Sequence, residues 1–477
     1  MRTQSVRRRW WIVAIILTGV LAAALTAPAA DSSPPDPTPD EVKRRLKELE
    51  EQVDRLNHES RQHEVQIDNQ IRNPLAQWKD GFYISSADNR FKLRIGAYTQ
   101  FDGRFFVNDE ANQNTNQFLI RRARLDLQGT VFKYFDFRIL PDFGGSSVQI
   151  YDSYLDFNYF PEAKLRFGKF KPPVGLERLQ SATSLMFVER GLPTNLLPNR
   201  DIGVQFFGDV FDGAVGYQLG IVNGVPDNLN PTNVNDTNDD KDFVGRVFAL
   251  PFTSTDLSAL KSLGVGVAGS YGRQGGNTST PDVPTYKSTG QATFFSFNGA
   301  VTNATDPTKN LGPVIASGQR SRVSPQAYYY VGPFGALFEY VYESQEYKRD
   351  KKTATFGNDA WQVAASYVLT GEPASYKGVT PFRPFQPLDD GGWGPGAFEL
   401  AGRYGEIDID SDVYSTGFAD KTKSAHRATE FVLGGNWYLN KNVKVVLDYA
   451  QTEFADGAKK GNRPNEYVIE SRVQLAF

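Results

Sequence analysis

The chain has 477 residues, with 34 phenylalanines, 22 tyrosines and 43 glycines but no cysteine. The lack of cysteine excludes a disulfide-stabilised fold and thiolate metal sites. The formal charge is −3, and it becomes about −7 without residues 1–30, so no nucleic-acid partner is expected. A secreted domain of this size without disulfides would need an extensive hydrogen-bonded sheet for its stability.

The first 30 residues have the pattern of a secretory signal peptide. Arginines at positions 2, 7, 8 and 9 precede an apolar run from Trp10 to Leu25, and small residues follow at 27–30. We therefore predict that residues 1–30 are removed on export. No other segment approaches a membrane-spanning helix, and the mean hydropathy of −0.43 resembles that of a soluble protein.

A proline-rich linker, residues 31–39, leads into a predicted helix over residues 40–72. Three to four heptads are too short to be stable alone, so we expect a short coiled coil within an oligomer. The alternative is a solvated, charged helix. The heptad seam consists of Val42, Leu46, Leu49, Val53 and Leu56, and its register continues to Ile67.

From residue 82 to the end, apolar and polar residues alternate in sixteen segments that we predict to be β-strands. An even number suits a single-chain outer-membrane barrel. Tight turns alternate with long polar loops, except that the connection at 370–396 is long on the short-turn side. The predicted strands are 91–107, 118–131, 134–142, 148–159, 163–170, 201–210, 213–223, 242–250, 263–273, 320–331, 334–347, 359–369, 397–407, 428–439, 443–454 and 465–477.

The last strand has a clear membrane pattern. Its apolar face carries Tyr467, Ile469, Val473, Leu475 and Phe477, and its other face is charged or polar. Such a strand, ending on an aromatic residue, is typical of bacterial outer-membrane barrels. We therefore predict an all-β fold: a 16-stranded antiparallel transmembrane barrel over residues 82–477. The alternative for this terminal segment is that it forms the last strand of a soluble β-sandwich.

The same alternation places basic side chains on the lumen side of the strands. A row of guanidinium groups in a confined aqueous bore lowers the barrier for anions and offers forked donors to phosphate or carboxylate. From the strands, we predict an anion pathway lined by Lys92, Arg94, Arg122, Arg124, Arg138 and Arg166. The alternative is that the basic residues only pair, across the lumen wall, with Asp126, Asp136, Asp152, Asp156, Glu399 and Glu470.

Several short motifs occur in order along the predicted barrel. They are NQFLIRRARL at 116–125, LRFGKFKP at 165–172 with GLE at 175–177, SPQAYYY at 324–330, LTGE at 369–372, FELAGRY at 398–404 and NWYLN at 436–440. Together they resemble the phosphate-selective porin family, O and P type, over about residues 90–477. The resemblance implies a trimer of sixteen-stranded barrels, each lined by a basic ladder and narrowed by an inward-folded third loop.

The third loop of the predicted barrel runs from residue 171 to 200. If it folds inward, as the resemblance implies, its cations set the narrowest point, and we expect Arg178 to be the filter residue. Family members that select phosphate place a lysine at that point, whereas residues 172–200 contain none, so the sequence leaves phosphate selectivity open. The cations of the loop are Lys171, Arg178, Arg190 and Arg200, and its acids are Glu177 and Glu189.

The residues give no reason to expect an enzyme, a cofactor or a metal site. The chain has three histidines, and the i,i+5 spacing of His58 and His63 does not place both on one helix face. His426 lies in a predicted loop, so a Ser–His triad inside the barrel has no base.

Two functions remain. The first is a passive outer-membrane channel that prefers phosphate or another small anion; only this function explains basic residues at lumen positions. The second is a structural outer-membrane anchor, or a non-selective porin, whose coiled coil tethers the envelope. The expected partners are small anions, outer-membrane lipid and further copies of the chain in a homotrimer.

Overall fold

The computed structural model describes residues 38–72, 75–78, 81–108, 114–229, 236, 238–387 and 394–477. The predicted signal peptide and the linker up to residue 37 lie outside the described residues. The chain divides into two compact units, Met1–Arg72 and Asn73–Phe477. In the part of the chain that the structure describes, no helix combines the length and apolar character needed to cross a membrane.

In the first unit, helix α1 runs over Pro39–Arg72, with two acidic residues in its first turn, where they favour the helix dipole. Four seam residues are open to solvent in the single chain. An isolated helix gains little from such a seam, because its burial requires a second helix. The exposed fractions are 55% for Leu46, 59% for Leu49, 54% for Val53 and 64% for Leu56.

The second unit begins with a short hairpin that the sequence analysis did not predict. Its strands are β1 (Leu75–Trp78) and β2 (Phe82–Ser85), and β2 pairs with the start of the first barrel strand. The rings of Trp78 and Phe82 lie 5.5 and 6.3 Å from the ring of Phe477. The hairpin therefore packs on the last residue of the chain.

Sixteen antiparallel strands form a closed barrel, as predicted. Each strand pairs with its sequence neighbours, and the last pairs with the first, with Tyr467 opposite Val107 and Ala476 opposite Tyr98. Closure pairs both end strands, as a sheet in lipid requires. The strands are β3 (Lys92–Val107), β4 (Gln117–Val131), β5 (Phe135–Asp142), β6 (Gln149–Phe160), β7 (Ala163–Phe170), β8 (Asp201–Val210), β9 (Val215–Val222), β10 (Asp242–Ala249), β11 (Gly264–Gly275), β14 (Ile315–Val331), β15 (Phe334–Arg349), β16 (Lys352–Val368), β17 (Ala397–Asp408), β18 (Ala425–Tyr438), β19 (Val443–Asp456) and β20 (Glu466–Ala476).

The strand boundaries differ most from the prediction between β15 and β16. These strands continue to a two-residue turn at Asp350 and Lys351, whereas the alternation in the sequence predicts no strand over 348–358. The outward positions near this turn are polar, for example Glu346 and Thr355. The lipid-facing alternation is therefore lost there although the backbone pairing continues.

The faces of β20 agree with the predicted alternation. Val473 and Leu475 are 51% and 43% exposed on the outer surface, while Glu470 and Arg472 are buried on the lumen side. Because this pattern repeats around the barrel, the outer surface is apolar and the lumen is polar, as in transmembrane barrels.

The fifth loop, residues 276–314, contains a second unpredicted hairpin, β12 (Thr285–Lys287) and β13 (Thr293–Ser296). Buried aromatic side chains pack this loop against the barrel and against the seventh loop, residues 409–424. The cluster holds the fifth loop at the mouth of the lumen. Its aromatic members include Tyr286, Phe294, Phe295, Phe297, Tyr347, Phe356 and Phe418.

The long connection between β16 and β17, residues 369–396, supports the third loop. The hydroxyl of Tyr376 donates to the carbonyl of Leu176 at 2.6 Å, and Gln180 Nε2 donates to the carbonyl of Tyr376 at 2.8 Å. The ring of Tyr376 stacks on Tyr328 with 5.3 Å between centroids. These contacts of Tyr376 give the long connection a structural role, because they hold it against the third loop and the barrel wall.

Candidate functional site

The third loop lies inside the lumen, where buried side chains of the barrel wall bind its backbone. Because a buried carbonyl without a partner costs free energy, these bonds are a condition for the loop to cross the lumen. All the donors lie on β3, β14 or β17–β20. The donors and their acceptor carbonyls are Gln100 to Ala182, Gln474 to Thr183, Lys444 to Leu185, Asn436 to Met186, Arg472 to Val188, Arg403 to Glu189 and Arg322 to Leu196, at 2.6 to 3.0 Å.

Two wall carboxylates bind amide groups of the same loop. Glu339 accepts hydrogen bonds from the first two residues of the short helix α2 (Leu176–Leu179), at 2.6 and 3.3 Å. Asp448 accepts the amide of Val188 at 2.6 Å. The wall therefore holds the loop through both its carbonyl and its amide groups, which fixes the loop against one side of the barrel.

A cavity of about 610 Å³ remains between the third loop and the opposite wall, formed by β3–β9. Asp152 and Glu189 are its only lining carboxylates among the described residues, against eleven cationic side chains. Eight predicted pathway residues line it, whereas Lys92 and Arg94 lie outside the lining, at the start of β3. The cations are Arg104, Arg121, Arg122, Arg124, Arg138, Arg166, Lys171, Arg178, Arg190, Arg200 and Lys287.

Four of the lining arginines have an aspartate partner within 3.0 Å, the kind of pair that the alternative in the sequence analysis expects. Three of the four partners stand outside the cavity lining, which leaves the guanidinium groups facing the cavity. The pairs are Arg124 with Asp142 at 2.7 Å, Arg138 with Asp126 at 2.8 Å, Arg166 with Asp156 at 2.7 Å and Arg200 with Asp152 at 2.9 Å.

Tyrosine rings support two of these arginines. The guanidinium carbon of Arg124 lies 3.7 Å from the ring centroid of Tyr151, and that of Arg166 lies 3.8 Å from the centroid of Tyr154. Such stacking stabilises a guanidinium group without neutralising its charge. The rings therefore orient the arginines while preserving the positive potential of the cavity.

Three cations of the third loop bind only neutral oxygens. Lys171 Nζ donates to the carbonyl of Gln180 at 2.8 Å, and Arg190 Nη2 donates to the same carbonyl at 2.8 Å. Arg178 binds the carbonyl of Thr194 and the amide oxygen of Asn228. Among the described residues, no carboxylate lies within 4.0 Å of these three cations. Their charge is therefore not neutralised by direct ion pairs.

Arg121 lines the cavity although strict alternation places it outside. Gln100 pairs with Arg122 and Phe101 pairs with Ile120, so a β-bulge leaves Arg121 without a partner in the register. Both neighbouring arginines then face the lumen. The sequence does contain a signal, because the apolar positions shift from 118 and 120 to 123 and 125.

Lys287 reaches the cavity from the fifth loop. Its backbone forms two hydrogen bonds with the side chain of Asn195, at 2.9 and 3.0 Å, which join the fifth loop to the third. Ser288 and Gln291 line the cavity beside it. Two loops therefore narrow the lumen, whereas the sequence predicts only the third loop to do so.

The barrel fold agrees with comparisons to known proteins. The model of the family described as "Phosphate-selective porin O and P" matches residues 91–477. Porin O of Pseudomonas aeruginosa is 24% identical over 409 residues, which are 79% of this chain and 86% of that protein.

The chain also aligns with two solved structures. The outer membrane channel DcaP of Acinetobacter baumannii aligns with a TM-score of 0.51 at 12% identity, over 84% of this chain and 100% of that chain. OmpT of Vibrio cholerae aligns with a TM-score of 0.49 at 13% identity, over 81% and 98% of the two chains. Because the family match covers most of the sequence, the chain belongs to the phosphate-selective porin O and P family and is an anion-preferring porin of the bacterial outer membrane.

Proposed function

We propose that the protein allows passive diffusion of phosphate and other small anions, and that its filter lies where the third loop faces β3–β9. The observation that carries this proposal is the charge of the cavity lining, where the described residues include eleven cationic side chains against two carboxylates. Members of the family are channels rather than enzymes.

The three third-loop cations are central to the proposed filter. Two unit charges 4 Å apart interact by about 1 kcal/mol in bulk water and by about 4 kcal/mol at an effective dielectric constant of 20. An anion near Lys171, Arg178 and Arg190 therefore gains free energy, and a cation meets a barrier. Neutral carbonyl partners keep this difference larger than carboxylate partners would.

Phosphate as a permeating ion is supported by the chemistry of the lining. Arginine forks suit the oxygens of phosphate, and lysine supplies a compact point charge. Residues 172–200 contain no lysine, but Lys171 and Lys287, which lie outside that segment, both line the cavity. The filter proposed here therefore combines both kinds of cation.

The Arg178→Glu variant tests the proposed filter. It replaces a buried positive charge by a negative one, so the ratio of anion to cation permeability should fall about tenfold or more, or reverse. The measurement is the reversal potential in planar bilayers under a salt gradient.

Arg273→Glu is the matched control, because its side chain is 61% exposed and does not line the cavity. It should leave the reversal potential near the wild-type value. Equal effects of the two variants would show that Arg178 is not a filter residue.

Selectivity should also depend on pH through Lys171. Burial, followed by the charges of Arg200 and Arg190, lowers the pKa of this lysine well below its ordinary value. Lys171 is charged below its pKa and loses its charge as pH rises through it. As pH rises, the preference for anions should therefore decrease at a lower pH than it would if Lys171 had the pKa of an ordinary lysine.

This pH dependence can be measured as the reversal potential across a pH series. Lys171→Arg should keep the anion preference to higher pH, and Lys171→Met should remove the step. A step of the same size and position in Lys171→Met would assign it to another group.

We further propose that the protein is a homotrimer in which α1 forms a short coiled coil and the apolar outer surface contacts lipid. The exposed seam of Leu46, Leu49, Val53 and Leu56 supports a helical partner. A second role as an envelope tether would also use this helix. The basic lining of the cavity favours conduction of anions as the main role, because neither a tether nor a non-selective pore requires a basic lining.

The variant Leu49→Ser/Val53→Ser tests the proposed coiled coil. It removes apolar seam residues, so crosslinking in detergent should give fewer trimers, while single-channel conductance changes little. Glu50→Ser/Asp54→Ser is the control, because both residues lie off the seam. Unchanged trimer yield in the seam variant would argue against the coiled coil.

A further inference from the structure

Glu189 of the third loop is surrounded by arginines at the edge of the cavity. Its carboxylate lies 2.5 Å from Arg121, 3.5 Å from Arg104, 3.8 Å from Arg122 and 3.9 Å from Arg472. The side chain is only 4% exposed, yet it lines the cavity beside three of these arginines. The loop thus places its own anion among guanidinium groups.

The four arginines do not depend on Glu189 equally. Arg104 also pairs with Glu470 at 2.9 Å, and Arg472 also pairs with Asp102 at 2.7 Å. Arg121 and Arg122, in contrast, form their only ion pairs within the described chain with Glu189. Glu189 therefore mainly offsets the charge of two arginines that face the cavity.

The loop does not need this carboxylate to stay in place. The carbonyl of Glu189 accepts a hydrogen bond from Arg403 at 3.0 Å, and both backbone groups of Val188 are bound by the wall. A glutamine would keep an oxygen acceptor for Arg121. The charge of Glu189 can therefore be removed separately from the backbone anchors of the loop.

A conducting filter must bind its ion strongly enough to admit it and weakly enough to release it. We propose that Glu189 is a specificity-determining residue that acts as a tethered counterion, competing with the permeating anion for Arg121 and Arg122. It limits anion binding at this part of the cavity and so maintains flow. This inference rests on the proposed anion filter.

The test is Glu189→Gln, measured in planar bilayers as current against chloride and phosphate concentration. Removal of the competing carboxylate should raise the ratio of anion to cation permeability and lower the half-saturating anion concentration, each by about threefold or more. The maximal current should fall, because anions leave more slowly. Glu453→Gln, the same substitution at an exposed residue outside the cavity, should match wild type.

A purely structural role for Glu189 predicts that removal of its charge does not raise the preference for anions. A correctly assembled Glu189→Gln protein with unchanged or reduced anion preference would overturn the proposal. If this variant does not assemble, Arg121→Gln compared with Arg190→Gln provides the test. Because Glu189 already offsets Arg121, loss of Arg121 should reduce anion preference less than loss of Arg190, and an equal or larger reduction would contradict the proposal.

Failure of this inference is distinguishable from failure of the proposed function. Cation preference in the wild-type protein would reject the anion filter itself. Anion preference in wild type, with no gain in Glu189→Gln, would reject only the tethered-counterion role.

Discussion

The hydrogen bonds from wall side chains to the third-loop carbonyls are the interaction on which the functional site depends. A loop that crosses a lumen buries backbone groups that water would otherwise bind, and each unpaired group costs about 1 to 3 kcal/mol. Donors from the wall, such as Arg472 and Lys444, satisfy these groups. These hydrogen bonds also hold the loop against one side of the barrel, so the cavity lies between the loop and the opposite side.

The same arrangement divides the basic residues of the lumen into two groups. Arginines on β14–β20, such as Arg322 and Arg403, anchor the loop and pair with buried acids. Six arginines on β3–β7, among them Arg104 and Arg138, face the cavity. The fold thus uses one residue type for stability on one wall and for positive potential on the other, because a guanidinium group suits both carbonyl oxygens and mobile anions.

Much of the barrel follows from the sequence, because period-2 alternation in lipid is a strong constraint. All sixteen strands and eight of the cavity cations were predicted from alternation and from the family resemblance. Arg121 was missed because a bulge changes the phase locally, and Lys287 because a hairpin folds in from a loop. The anchor role of Arg472 was also beyond the sequence, since its acceptor carbonyl is 284 residues away.

A preference for anions requires that the cavity carry an uncompensated positive potential. The most direct measurement is the zero-current potential of the wild-type protein in planar bilayers under a tenfold gradient of potassium chloride. We expect the sign set by chloride, with a smaller magnitude at high ionic strength, because mobile salt screens the lining charges. A potential with the sign set by potassium would contradict the preference for anions.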